Sequence, residues 1–437
     1  MQTIFAPITS PSRAGISVIR ISGAEVRECL QTLGFKGALQ HQKISFQKIF
    51  DPKNSQIIDE TLISFFSAPA SFTGEDVAEI SIHASSFILK KILEILSAQK
   101  NCRLAEAGEF SKRAFLNGKL DLVQAEAIPD LIAAETESQH RQALQQLEGV
   151  LGTIYADWRF RLIEITARIE AAIDFPDEDL PQNIVDAVEL DVKNLSAEIA
   201  KHLDDKKIGQ KIKDGLSLAI IGAPNVGKSS LINFLAQSEV AIVSEFAGTT
   251  RDVVEVHLSI AGVPVRISDT AGLRETDNPI EKEGIRRALQ KAALADIKIF
   301  LLDATNPILR QDLIDENTIL VTNKIDLLDA KIGQDRSDGS VMLSLSKNGN
   351  TSALLAKLEE KILELVPKQT SPLITQERYR VALQECVKNL QSFSLEKNIE
   401  LAAEDLRLTA REIGKIIGDV GVENILDAIF SRFCIGK

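Results

Sequence analysis

The stretch LSLAIIGAPNVGKSSLINFLA, residues 216–236, changes character twice. LSLAIIG is an apolar, β-prone run, GAPNVGK is a loop carrying two glycines, and SSLINFLA repeats its apolar residues at helical spacing. Strand, loop and helix in that order give meaning to the pattern GxxxxGK[ST] at Gly222–Ser229. Loop N–H groups and a helix N-terminus suit a polyphosphate. Lys228 is expected to reach the β- and γ-phosphates and Ser229 to ligate Mg²⁺, with Asn225, Val226, Gly227 and Ser230 completing the cradle. The plain alternative, a turn with a chance lysine, leaves both flanks unexplained.

Downstream, VPVRISDTAG, ADIKIFLLDAT and TILVTNKIDLL read as buried strands separated by helical stretches, which predicts a mostly parallel, doubly wound sheet. It ends near residue 368, with VPKQTSP as exit linker. In Asn323-Lys324-Ile325-Asp326 the carboxylate can accept from guanine N1–H and its 2-amino group; adenine would leave it unpaired. Ser344-Leu345-Ser346 is a candidate loop closing on the base. AGTTRD supplies Thr250 as a second Mg²⁺ ligand beside Thr249. Asp269-Thr270-Ala271-Gly272 reads as the loop that senses the γ-phosphate. The next residue is Leu273, where a Ras-type enzyme has a water-orienting Gln. Either the nucleotide is not hydrolysed, or another group holds the water.

The flanks differ from this unit. At 437 residues the chain has room for two or three domains. AGISVIRISG, KISFQKIF and ETLISFFSA read as strands, and EISIHASSFILKKILEIL as a strand running into a helix. Leu144, Leu147, Leu151, Ile154, Trp158, Leu162, Ile165 and Ile169 form one stripe of a long helix, stopped by the prolines of DFPDEDLP. A second helix spans roughly 184–206, followed by the basic, Gly-bounded KKIGQKIKDG. Helical spacing returns after 376, so an α/β domain inserted into a helical one is expected. A net charge of −12 argues against a surface that coats nucleic acid but permits a local basic pocket. Cys29, Cys102, Cys386 and Cys434 show no CxxC pairing, so neither a zinc site nor a disulfide framework is expected. The first residues lack a signal-peptide pattern and no run is long enough to span a bilayer, so a soluble, cytoplasmic protein is expected.

GAPNVGKSSLIN, AIVSEFAGTTRDV, DTAGLRE and NKID, flanked by VIRISG, SFTGEDV, GEFSKRAFLNGKLDLVQAEAI, EAAIDFPDED and a terminal FCIGK, resemble the TrmE/MnmE family of tRNA-modification GTPases over the whole chain. That family sits in the TrmE-Era-EngA-YihA-Septin-like superfamily. The resemblance implies an α+β N-terminal domain at 1–119 that dimerises and binds formyl-tetrahydrofolate. It implies a helical domain at 120–214 and 371–437, with the G domain at 215–370 inserted into it.

It further implies that G domains pair across a K⁺ ion held by Asn225, Ser244, the Phe246 carbonyl and Thr249, in a GTP site that also includes Glu245, Ala247 and Gly248. Glu281, on composition one of several acids at a charged helix start, is implied as the catalytic group that orients water. Arg20, Glu79, Lys119 and Lys437 match the 5-formyl-tetrahydrofolate site. Cys434, which alone reads as a small buried hydrophobe, is implied to approach that site. The implied activity is K⁺-stimulated GTP hydrolysis in a homodimer that works with an FAD-bearing partner of the MnmG/GidA type. Together they place a carboxymethylaminomethyl (or related aminomethyl) group at C5 of wobble uridine in tRNA. No GxGxxG flavin loop occurs here, consistent with FAD on the partner alone.

Two departures stand out: Ala84-Ser85-Ser86 follows His83 where the family has a Gly pair, and SPSRAGIS around Ala14 is poorer in Gly. Side chains there are expected to strain or reshape the loops. A regulatory or ribosome-assembly GTPase without modification chemistry is the rival reading, since the G domain alone does not fix the downstream role.

Overall fold

The computed structural model describes residues 1–10, 14–174, 182–238, 240–241, 256–268, 290, 292–328, 340–347, 349–367, 372–395, 399–420, 423–431, 433–434 and 436. Residue contacts divide the chain into two units. The first comprises 1–129, 146–197 and 385–437; the second comprises 130–145 and 198–384.

The first unit is built on strands β1 (Thr3–Pro7), β2 (Ile16–Ser22), β3 (Lys43–Phe50), β4 (Ile57–Phe66), β5 (Val77–His83) and β6 (Cys102–Leu104), in the order β3-β4-β5-β2-β1-β6. Neighbours run antiparallel except β1 and β6. Period-two alternation sends Phe5, Ile19, Ile21, Ile63, Phe65, Ala78 and Ile80 to one face. There they share a core with Val26, Cys29 and Leu30 of the helix Val26–Thr32 and with Ile92 and Leu96 of the helix Ser86–Ser97. The opposite face carries Arg20 and Glu79. Its β1 end is covered by Phe110, Ala105 and Phe72 packed on Ile4 and Ala6. Towards β3 and β4 the same face leaves Ile44, Phe46 and Leu62 exposed.

The helical part follows the sequence with one correction. The stripe expected to run unbroken from Leu144 to Ile169 is divided between the helices Glu137–Leu147 and Val150–Asp174. Gly149 adopts φ +81° and donates to the Gln146 carbonyl, while Gln124 takes the Leu147 carbonyl, so the first helix is closed off before the second starts. The second helix runs over Gln182–Leu203; Lys206 and Lys207 then take positive φ, and the basic, Gly-bounded stretch that follows forms the helix Ile208–Asp214. The helix Val150–Asp174 packs on Ile399–Ile417, which buries Leu406, Ile413 and Ile416.

The second unit carries β7 (Leu216–Gly222), β8 (Val256–Ile260), β9 (Val263–Ser268), β10 (Ile297–Asp303), β11 (Thr318–Asn323) and β12 (Val341–Met342), ordered β12-β11-β10-β7-β9-β8. All pairs are parallel except β8 with β9. Both faces are apolar, as a doubly wound sheet requires. Leu218, Ile220, Ile299 and Leu301 pack on one side with Leu231 and Leu354, and Ala219, Ile221, Phe300 and Leu302 pack on the other.

A buried charge network braces the first unit. The Glu109 carboxylate accepts from Arg103 (2.6 and 2.7 Å), from Arg113 (3.0 Å) and from the Glu106 N–H (3.0 Å). Arg113, 3% exposed, also donates to Glu75. Burial pushes the Glu109 carboxyl up, but Arg103, the Glu106 N–H and Arg113 together outweigh it and hold the pKa below the usual value of 4.5. A depressed folded-state pKa contributes stability above the unfolded value and loses it as pH falls through the folded one. Tm should therefore fall on acidification below about pH 4.5. Glu109→Gln should lower Tm at neutral pH and flatten that acid decline; an unchanged acid slope in thermal melts would exclude Glu109 as its source.

Candidate functional site

The site sits at the C-terminal ends of β7, β10 and β11. β7 delivers Gly222, the loop turns through Asn225 (φ +62°) and Gly227 (φ +105°), and the helix Lys228–Gln237 begins at once. Lys228 Nζ donates to the Gly222 and Ala223 carbonyls, both at 2.9 Å, so the ammonium lies over the loop it belongs to. The first turn of that helix has N–H groups without intrahelical acceptors, aimed where an anion would lie. Asn225, Ser229 and Ser230 are exposed and Val226 is buried beneath them.

Asn323, 4% exposed at the end of β11, ties two loops together. Its Nδ2 donates to the Val226 carbonyl at 2.8 Å, and its Oδ1 accepts the Leu345 N–H at 3.1 Å. A Cβ at position 227 would collide with that amide, so only glycine fits, on space as well as on φ. Lys324, itself at φ +67°, donates to Asp303 at 2.6 Å. Burial raises the Asp303 carboxyl, but Lys324 and Thr305 outweigh it and hold it low.

Asp326 follows Ile325 in the short 3₁₀ turn after β11. Its carboxylate accepts Ser344 Oγ–H at 2.6 Å and Ser346 Oγ–H at 3.2 Å. The Ser344 bond is the main reason its pKa is lowered. The group is thus an ionised acceptor, the chemistry that a guanine edge needs. Ser344-Leu345-Ser346 therefore meets NKID through three hydrogen bonds, Ser344 and Ser346 to Asp326 and Leu345 to Asn323. The role of Asp303 as counter-ion to Lys324 was not read from the sequence; its only signal is an acid at a strand end.

Several expected residues lie outside the described residues: Ser244, Glu245, Phe246, Ala247, Gly248, Thr249, Thr250, Asp269, Thr270, Ala271, Gly272, Leu273, Glu281 and Lys437.

In the first unit Arg20 and Glu79 are cross-strand partners, joined at 2.7 and 2.9 Å. The Arg20 guanidinium lies 5.1 Å from the Phe72 ring centre and 5.6 Å from that of Phe110, contacts the sequence did not disclose. Phe72 belongs to the loop that also holds Gly74, against which the stem of the exposed Lys119 packs. Arg20, Glu79 and Lys119 are thereby arranged around one loop. Cys434 is exposed, not buried, and its carbonyl accepts the Gly108 N–H at 3.4 Å. Gly436 fits against the Pro7 and Ile8 backbone with no room for a Cβ, which returns the tail to the end of β1, beside β2.

The expected strain after His83 is not found. Ser85 has φ −90° and ψ 128°, ordinary for a residue before a helix, and neither Ala84, Ser86 nor Ala14 takes a positive φ. At the described residues Ala14, Ala84, Ser85 and Ser86 the backbone stays out of the region that favours glycine.

Removing the Asn323 amide should loosen the phosphate loop and the base loop together. Asn323→Ala should cost about 2 kcal/mol of nucleotide binding, roughly a thirtyfold weaker Kd, and should also lower Tm by several degrees, because the Val226 carbonyl and the Leu345 N–H lose a buried partner. Titration with a fluorescent guanine nucleotide measures it, and wild-type affinity would show that the brace is dispensable.

Residues 122–434 match the MnmE helical domain family, and residues 3–119 match the family described as GTP-binding protein TrmE N-terminus. The tRNA modification GTPase MnmE of Rickettsia akari is 45% identical over 445 residues, covering 100% of both chains. That of Rickettsia typhi is 45% identical over 447 residues with the same coverage. Among solved structures, the G domain of the T. maritima FeoB iron transporter is 27% identical over 34% of this chain and 98% of its own. A variant of Aquifex aeolicus Era bound to GDP·AlF4⁻ is 26% identical over 41% of this chain and 68% of its own. Both superpose with a TM-score of 0.26, too low to bear on the fold. Two family matches that together span nearly the whole chain, and relatives alike from end to end, make this chain a member of the MnmE family of tRNA modification GTPases.

Proposed function

We propose that this chain is a cytoplasmic, K⁺-stimulated GTPase that acts as a homodimer with an FAD-bearing partner to build the carboxymethylaminomethyl-type group at C5 of wobble uridine in tRNA. The observation that carries the GTP reading is the ionised Asp326 held beside Asn323, which reaches across to the phosphate loop. The guanine edge donates to Asp326, and the polyphosphate lies on Gly222–Ser229 with Lys228 turning from the loop carbonyls towards it. Mg²⁺ ligation falls to Ser229 and Thr250; the K⁺ ligands are Asn225, Ser244, the Phe246 carbonyl and Thr249. The exposed Asn225 and Ser229 side chains, at the loop and the helix start, suit these roles. A fixed cation supplies the charge beside the phosphoryl group that an arginine supplies elsewhere. Glu281 orients the attacking water through a second water, which lets Leu273 stand where other GTPases have Gln. The assignments at 244, 246, 249, 250 and 281 rest on family resemblance.

The one-carbon folate site falls to Arg20, Glu79, Lys119 and Lys437, with Cys434 near it. Cations suit the folate's glutamate carboxylates and a carboxylate suits its pterin nitrogens. The pairing of Arg20 with Glu79, and the return of Gly436 to β1, support that reading. The same face leaves Ile44, Phe46 and Leu62 exposed, which suits burial against a second copy.

Replacing K⁺ by Na⁺ should depress GTP turnover strongly while leaving nucleotide binding nearly intact. Glu281→Ala should lower kcat with little change in GTP affinity, the pattern of an interaction made in the transition state. Equal turnover in both salts, or a variant that binds GTP poorly, would overturn the respective role. Mass spectrometry of tRNA from cells lacking the gene tests the modification: unaltered wobble uridine would leave a GTPase of another purpose.

A further inference from the structure

The helix Val26–Thr32 and the edge strand β6 are separated by a long stretch of sequence, yet each sends a cysteine to the same spot. Cys29 Sγ and Cys102 Sγ lie 3.5 Å apart in the core beneath the sheet. Cys29 is fully buried, and Cys102, on a three-residue strand at the end of the sheet, is 9% exposed. Around them lie apolar groups from the helix Ser86–Ser97 and from β1 and β2, with Glu25 and Glu28 as the nearby charges.

We propose that Cys29 and Cys102 form a latent disulfide, closed by a peroxide-class oxidant and reopened by a dithiol reductant. The Cys102 sulfur attacks the peroxide, whose O–O bond breaks, giving a sulfenic acid and one water. Cys29 Sγ then attacks the sulfenic sulfur and loses its proton, the S–O bond breaks, and a second water leaves. Two thiols and one hydrogen peroxide thus become one disulfide and two waters, and a dithiol returns the pair by exchange.

The geometry sets the order of events. Cys102 stands at the edge of the sheet, where oxidant enters, and Cys29 is already in contact to resolve the intermediate. Burial pushes both thiols up; their mutual contact then raises Cys29 further and lowers Cys102. Both thiols are therefore slow nucleophiles, so the first step is the slow one; burial further excludes bulky thiol reagents, a small peroxide reaches the edge, and the second step is intramolecular. Once closed, the bond staples β6 to the helix. β6 pairs with β1 and leads into the segment whose Gly108 holds the Cys434 carbonyl, so the modified edge is the one that receives the C-terminal tail.

The full-length chain carrying Cys434→Ser, which removes the exposed thiol, would be treated with a small excess of hydrogen peroxide. Digestion without reductant should yield a cross-linked peptide containing Cys29 and Cys102, lighter by two hydrogens than its halves and separated by dithiothreitol. The oxidised chain should melt several degrees higher than the reduced chain, because the closed loop restricts the unfolded state. Adding Cys29→Ser should abolish the cross-link and leave the sulfenic acid at Cys102 open to capture by dimedone. The proposal fails if both thiols stay reduced under peroxide that fully oxidises Cys434 in the unsubstituted chain. It also fails if Cys102 accumulates as sulfinic acid with Cys29 still free.

Discussion

The Asn323 carboxamide is the interaction on which the nucleotide site depends. One planar group donates to the phosphate loop and accepts from the base loop, so the two halves of the site cannot move apart independently. Its place is bounded by three requirements at once. It must lie at the end of β11, it must be buried, and the loop residue facing it must lack a side chain. Buried, it has no water to replace its partners, which makes each of its bonds costly to break. Gly227 is therefore constrained twice, by its own backbone angle and by a neighbour distant in sequence.

The order of strands puts these groups together. β7, β10 and β11 lie side by side and parallel, so the loops that follow them open on the same edge. Asp303 ends one strand and Asn323 the next; they are register partners, which brings Lys324 within reach of Asp303. Asp326 then falls beyond a short turn, held by two serine hydroxyls that favour its ionised form. Ligand sites of open parallel sheets arise at this edge for the same reason.

Much of this was legible because it is local. A strand, a Gly-bearing loop and a helix occupy consecutive residues, and NKID carries its own chemistry. What escaped the sequence depends on partners far along the chain or on a single backbone angle. The helical stripe from Leu144 to Ile169 keeps its spacing across Gly149, and periodicity cannot register that this one residue has turned left-handed. Within KKIGQKIKDG the helix Ile208–Asp214 sets Gly209 against the Ile374 backbone, where no side chain would fit, a contact with a residue far along the chain. Arg20 is marked by resemblance, but its two flanking rings come from Phe72 and Phe110 on separate segments. Spacing likewise gave no sign that Cys29 and Cys102 meet.

The N-terminal sheet shows how an ion pair is kept beneath aromatic rings. Arg20 and Glu79 occupy directly opposed positions on neighbouring strands, so each satisfies the other before any ligand arrives. The aromatic rings cover the guanidinium and leave Glu79 the more open of the two, with side-chain exposures of 12% and 28%. The Glu79 carboxylate is thereby oriented by its arginine. The cost of holding charge here is met beforehand by the pairing, and Arg113 follows the same rule with Glu75 and Glu109 in the next layer. Glu109 and Arg113 are thus buried together with their partners, and the Glu109 carboxylate links the stability of this layer to pH.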